Sequence, residues 1–258
     1  NGKITTFDFD LSYRLENGRA GIAEAKAKAQ QRRAEQRKQA GVYYRKMLEH
    51  INTTLENIDQ HHPQYNPEHG YKIAGFVWFQ GWNDMVSSGT YPNRDKPRGY
   101  EQYSWLMKQF IRDVRQDLNA PDMPFVIGAL GVGGYEDPAE TGRGYFQRAM
   151  AAPADDPEFS ETVAAVQTGR YWDHQLEELD TRSQKLKKQK WILENEKGLS
   201  GEALKEALDA YHDTIMTPRE QKILALGKSN QGFHYLGSGR VFAGIGKAFA
   251  QAMLQLQD

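Results

Sequence analysis

Three short apolar runs, separated by amphipathic helical stretches, constrain this chain most. Ile73 to Gln80 (IAGFVWFQ), Phe125 to Leu130 (FVIGAL) and Thr162 to Thr168 (TVAAVQT) are nearly continuous hydrophobic segments with β-branched or aromatic residues. Such runs suit strands buried on both faces, as in a parallel sheet, because a strand with one wet face alternates instead. Around them, Tyr44, Leu48, Ile51, Leu55 and Ile58, then Tyr103, Met107, Phe110, Val114 and Leu118, step by threes and fours. Phe242, Ile245, Phe249 and Met253 repeat that spacing near the end. Each series draws an apolar stripe along a helix. Residues 142–152 supply one more helix. Helix and strand alternate throughout, which predicts an α/β fold with a parallel sheet covered by helices. A doubly wound sheet has about five strands, so further strands are expected before residue 1.

Two segments depart from this pattern. Residues 19–46 hold nine Lys/Arg against two Glu, interleaved with Ala and Gln, which reads as a solvated helix or mobile segment rather than a binding site for acidic polymers. In residues 174–216, Leu179, Leu186 and Leu193 recur at seven among many charges. Gly198 and Gly201 interrupt, and Leu204, Leu208 and Tyr211 resume the stripe. That is the pattern of a helical hairpin with a narrow seam, and it accounts for the low mean hydropathy of -0.77. The expected organisation is one α/β domain over 1–258, incomplete at its N-terminus, with a charged helical-hairpin insertion at 174–216. A short alternation at Phe7, Phe9 and Leu11 precedes the basic helix.

Composition narrows the function classes. With 258 residues and a net charge of -1, the chain lacks the basic excess of a general nucleic-acid binder. It has no cysteine, hence no disulfide, thiolate nucleophile or Cys-ligated metal. No apolar run approaches 18 residues, so no membrane-spanning helix is expected. His61, His62 and His69 read as a polar loop rather than a metal site.

Ligands of open α/β sheets bind at the carboxyl ends of the strands. After the first run comes Gln80-Gly81-Trp82-Asn83-Asp84. Gly81 allows a tight turn, and the Asn83 amide could donate to charge developing on a carbonyl oxygen. The same residues also suit a plain turn capped by Asn83 and Asp84. The second candidate is His234, in the loop Ser229-Asn-Gln-Gly-Phe-His-Tyr before the last helix, where an imidazole could act as general base. Trp78, Trp82 and Tyr235 could wall a sugar ring, with Gln80 beside them, although Trp78 lies inside a strand and suits the core equally.

AGFVWFQGWNDM and NQGFHYLGSGRVFAGIGKAFAQAM, with VYYRKMLEHI and the YWD, TPRE and SNQGFHYLG stretches, resemble the sialate O-acetylesterase-like branch of the SGNH hydrolases. The resemblance covers most of residues 42–255. It implies a flavodoxin-like three-layer α/β fold and a serine esterase that removes acetyl groups from sugars or polysaccharides. It gives the oxyanion-hole role to Asn83, with Gly81 shaping the turn, and the base role to His234. It implies no metal or organic cofactor, an acetylated carbohydrate as partner rather than nucleic acid or membrane, and a secreted or periplasmic bacterial setting. The family's serine block and second glycine block have no counterpart here; Ser87, Ser88 and Ser104 lie in a polar loop and a helix. The nucleophile is therefore expected upstream, in the same or a separate chain, and residues 1–258 alone are expected to be inactive. Family members carry Asp a few residues before the His, where this chain has Asn230 and Gln231. Either amide, or Asp173 or Asp84, could orient the imidazole. A non-catalytic carbohydrate-binding relative and a module acting through its helical hairpin are the alternatives.

Overall fold

The structure, a computed structural model, describes residues 19–135 and 140–257, with 19–24 as backbone only. The alternation at Phe7, Phe9 and Leu11 lies outside the described residues. The chain divides into two compact units, residues 1–71 and 72–258.

In the first unit, α1 (Arg19–Gln39) carries the basic run, α2 (Val42–Glu56) the first apolar stripe, and α3 (Ile58–His61) is a single turn. Gly41 separates α1 from α2 at φ 68°, a left-handed conformation that glycine adopts without a Cβ clash. Arg45 reaches back from α2 to donate to the Lys38 and Ala40 carbonyls at 3.1 and 2.8 Å, satisfying groups at the end of α1. Tyr44, Leu48, Ile51, Leu55 and Ile58 are half-buried.

The second unit holds three parallel strands, β1 (Phe76–Trp78), β2 (Phe125–Ala129) and β3 (Val163–Gln167), in the order β1-β2-β3. α4 (Trp82–Val86) and α5 (Glu101–Asp117) connect β1 to β2, and α6 (Gly142–Ala151) connects β2 to β3. All five residues of central β2 are buried. β1 is shorter than its apolar run. Its ladder spans Phe76–Phe125 to Trp78–Ile127, and Phe79 instead packs on Tyr235 and Phe249, 5.6 and 5.4 Å between ring centroids. Phe110 of α5 meets Phe76, Trp78 and Phe125. The last helix, α10 (Gly239–Gln255), sends Phe249 over Gly128 and Met253 over Gly75. Successive side chains on a strand point to opposite faces, so α5 and α10 flank the sheet from opposite sides. At the amino ends of β2 and β3, buried Arg115 donates to the Met123 carbonyl through Nε and Nη2 (3.0 and 2.8 Å) and to the Thr162 carbonyl (3.2 Å).

After β3 come α7 (His174–Asn195), α8 (Gly201–Ile215) and α9 (Pro218–Gly227). α7 and α8 pack on each other. Leu179 and Leu193 are buried and Leu186 half-buried, while most other side chains of both helices stay in solvent. The sequence reading missed α9, although its start was legible. Thr217-Pro218-Arg219-Glu220 is a capping box with proline at the first helical position. Glu220 accepts from the Thr217 amide (2.8 Å) and hydroxyl (2.9 Å), and from Arg182 of α7 (2.7 Å). Lys228 pairs with Asp180, so α9 is tied to α7 at both of its ends.

The Thr217 amide, then Arg182, then the Thr217 hydroxyl hold the Glu220 carboxyl down to about 2, from 4.5. A carboxyl lowered in the folded state stabilises fully above its unfolded value and loses that contribution as pH falls. Glu220→Gln should therefore be less stable than the parent at pH 7, and the gap should close between pH 4.5 and 2. Chemical denaturation of both proteins across that range measures it.

Candidate active site

The carboxyl ends of all three strands are drawn together by one residue. Tyr235 is 4 % exposed, and its hydroxyl accepts the Gly131 amide at 2.7 Å, just past β2. Thr168, just past β3, gives its hydroxyl proton to the Ala129 carbonyl at 2.7 Å. Its oxygen lies 2.7 Å from the Tyr235 hydroxyl, which must then be the donor. The chain Gly131 amide, Tyr235, Thr168, Ala129 carbonyl is thus fully paired in a buried setting, where an orphaned group would cost ~1–3 kcal/mol. Phe79, Trp172 and Phe242 surround the ring. Tyr235 is consequently a core anchor, which corrects its expected place in a sugar-binding wall.

That anchor holds the preceding residue, His234, at the carboxyl edge of the sheet. Tyr235 and Leu236 sit at φ 53° and 58°, a left-handed pair without glycine that costs ~1–2 kcal/mol per residue. Burial of Leu236 at 2 %, and bonds from the Ser229 and Asn230 amides to its carbonyl, work against that cost. The result is a tight loop with the exposed His234 at its surface.

The third member of the loop decides the state of the imidazole. Asn230 Oδ1 lies 3.1 Å from His234 Nδ1 and also receives the Gln231 amide at 2.8 Å. An atom receiving a backbone N–H is an acceptor, so it is the amide oxygen, and Nδ1 must carry a proton to bond with it. In the neutral ring Nε2 is then unprotonated, the state a general base requires. Among the other orienting candidates, Gln231 contributes its backbone, its carbonyl accepting from the His234 and Leu236 amides. Asp173 caps α7 by accepting from the Leu176 amide at 3.0 Å, and its other oxygen lies 3.8 Å from Arg240. Asp84 accepts from the Tyr91 hydroxyl at 3.3 Å, and burial raises its pKa. None of the three side chains bonds to His234 among the described residues.

Gly81 and Asn83 follow β1. A Cβ on Gly81 would come within 2.9 Å of the Phe146 ring, so only glycine fits against that core side chain. Asn83 is exposed at the start of α4. Its neighbour Trp82 is half-buried, with its ring 5.8 Å from that of Phe233, the neighbour of His234. The two candidate segments therefore meet through Trp82 and Phe233. Gln80 is exposed, and its carbonyl accepts from Tyr103 at 3.2 Å. Trp78 packs on Phe110 at 4.6 Å and belongs to the core. A cleft of about 420 Å³ opens beside Trp82. A larger one, about 820 Å³, lies between the end of α5 and residues 157–162, at the amino ends of β2 and β3, away from these groups. No group of three His, Asp or Glu suited to a metal ion occurs among the described residues.

Residues 22–190 match the family model described as carbohydrate esterase, sialic acid-specific acetylesterase. The chain belongs to this family of carbohydrate esterases. The matched range takes in the strand and turn that carry Gly81 and Asn83 and stops short of His234. No curated protein and no solved structure matches the chain.

In this esterase, Asn230→Ala should remove the 3.1 Å bond that holds the proton on His234 Nδ1, so the neutral ring should shift toward the Nε2-protonated tautomer; the imidazole nitrogen chemical shifts read the difference. Tyr235→Phe should lower stability by ~1–3 kcal/mol through the unpaired Gly131 amide, measured by urea unfolding.

Proposed function

We propose that the chain carries the base and the oxyanion donor of a carbohydrate O-acetylesterase with a flavodoxin-like, three-layer SGNH architecture. The observation that carries this reading is the Asn230–His234 bond, which fixes the proton on Nδ1 and leaves Nε2 free. In the reaction, a serine Oγ attacks the acetyl carbonyl carbon and passes its proton to His234 Nε2. The tetrahedral oxyanion takes a hydrogen bond from the Asn83 amide. The imidazolium then protonates the departing sugar hydroxyl. Water repeats the sequence on the acetyl-serine, giving acetate and free serine. Asn230 holds the ring as the amide of a Cys-His-Asn site does, without a negative charge.

The hydroxyls of Ser87, Ser104, Ser160, Ser183 and Ser229 bond to groups other than His234. The reading therefore takes the nucleophile from a segment preceding the described α/β body. It also takes an acetylated sugar as substrate and a secreted or periplasmic setting. The replacement of a carboxylate by Asn230 favours a second reading, a sugar-binding relative with no turnover.

The test is hydrolysis of 4-nitrophenyl acetate and of an O-acetylated sugar by the protein extended upstream of Asn1. Turnover is expected, with a ~10²–10³-fold loss in Asn83→Ala, the scale of one oxyanion donor. His234→Ala should lose more, since it removes proton transfer from both half-reactions. Sugar binding without turnover would select the second reading.

A further inference from the structure

Asn83 stands on a turn that three buried tyrosines hold by their hydroxyls. Before Asn83 in the chain, Tyr103 of α5 donates to the Gln80 carbonyl at 3.2 Å. After it, Tyr91 donates to Asp84 Oδ1 at 3.3 Å and Tyr100 to the Met85 carbonyl at 2.6 Å. Tyr91, Tyr100 and Tyr103 are 2, 2 and 6 % exposed, so their rings belong to the core. They form one cluster. Tyr91 packs on Tyr100 at 5.1 Å between ring centroids, and Tyr100 and Tyr103 each meet Phe146 edge-on at 4.8 Å. Phe146 is also the ring against which Gly81 lies too close for a Cβ. The cluster thus touches the turn at Gly81 through carbon and at Gln80, Asp84 and Met85 through hydrogen bonds.

Asn83 is exposed, so its side chain takes its position from the backbone beneath it. An oxyanion donor works when it is aimed before the reaction begins, since a donor that must first reorient adds to the barrier. Asp84 is half-buried, and burial disfavours its charge. A carboxylate is therefore a costly side chain at that position, and the Tyr91 hydroxyl is what it gains there. We infer that Tyr91 and Tyr100, acting through Asp84 and the Met85 carbonyl, are positioning residues for the Asn83 amide. The inference rests on the proposed role of Asn83 as oxyanion donor.

Hydrolysis of 4-nitrophenyl acetate by the protein extended upstream of Asn1 tests this. Tyr91→Phe and Tyr100→Phe should each lower kcat ~10-fold, less than the ~10²–10³-fold loss of the donor itself. KM should not change, because the oxyanion forms only after binding. Asp84→Ala should match Tyr91→Phe, and Asp84→Asn should recover most of the loss, since an amide oxygen also accepts a hydroxyl proton. Added to Asn83→Ala, Tyr91→Phe should cost nothing further. A tyrosine that only stabilised the fold would lower kcat by the same factor with or without Asn83. That result would overturn the inference, as would an unchanged kcat in both Phe variants. A second measurement needs no turnover. The Met85 amide bonds to the Gly81 carbonyl at 2.9 Å within the turn. Its hydrogen exchange should quicken ~10-fold in either Phe variant, while exchange at Val126 in β2 stays as in the parent and shows that the variant has folded. Equal exchange at Met85 in parent and variants would overturn the inference. No turnover by the parent would remove the esterase reading alone, and faster exchange at Met85 would still support the hold of the tyrosines on the turn. Turnover that depends on Asn83 but on neither tyrosine would remove the inference and leave the esterase reading in place.

Discussion

The hydroxyl of Tyr235 is the point on which the geometry of the candidate site depends. It joins Gly131, just past β2, to Thr168, just past β3, and through its own backbone it fixes the preceding side chain, His234. A loop with two consecutive left-handed residues would relax if released. The buried ring and its paired hydroxyl keep it in place. The position of the imidazole is thus set by the core of the sheet, although the ring itself is exposed to solvent. This is a common division of labour in α/β proteins, with loops carrying the chemistry and a rigid interior setting their position.

Much of this was legible in the sequence because the relevant signals are local. The three apolar runs became the three strands, since β-branched and aromatic residues without polar alternation are stable only between two covered faces. The leucines at 179, 186 and 193 marked one side of α7, as a seven-residue period does on any helix. The Asn83 block was found from its position after a strand, and His234 from its position before the last helix. What escaped depended on the third dimension. Tyr235 was read as one side of an aromatic wall; the turn that sends it inward is left-handed at Tyr235 and Leu236 as well as at Gly237, and two non-glycine residues in that conformation leave no mark in the sequence. Asn230 and Gln231 could not be separated by spacing, and only the bond at Oδ1 distinguishes them.

Charge is used differently at the two ends of the sheet. At the amino ends, Arg115 is buried against two carbonyls, and its desolvation lowers its pKa. Its planar donor fork suits neighbouring acceptors in that confined space. At the carboxyl ends the pairing is done by neutral hydroxyls and amides. A neutral interior beneath an exposed imidazole avoids the cost of a buried unpaired charge.

The sheet is also uneven from one side to the other. Phe76 donates its amide to the Pro124 carbonyl, so in a parallel ladder Phe76 and Trp78 turn their backbone groups toward β2 and Val77 turns its own away. Val77 is 45 % exposed, whereas every residue of β2 is buried, and β2 lies between β1 and β3. Amide hydrogen exchange follows such differences, because outward-facing groups open by local fraying and central ones only with the whole unit. Among the described residues, the turn bearing Asn83 is therefore joined to the less buried margin of the sheet and the His234 loop to its most buried part, so that the two candidate segments would open to solvent on different timescales.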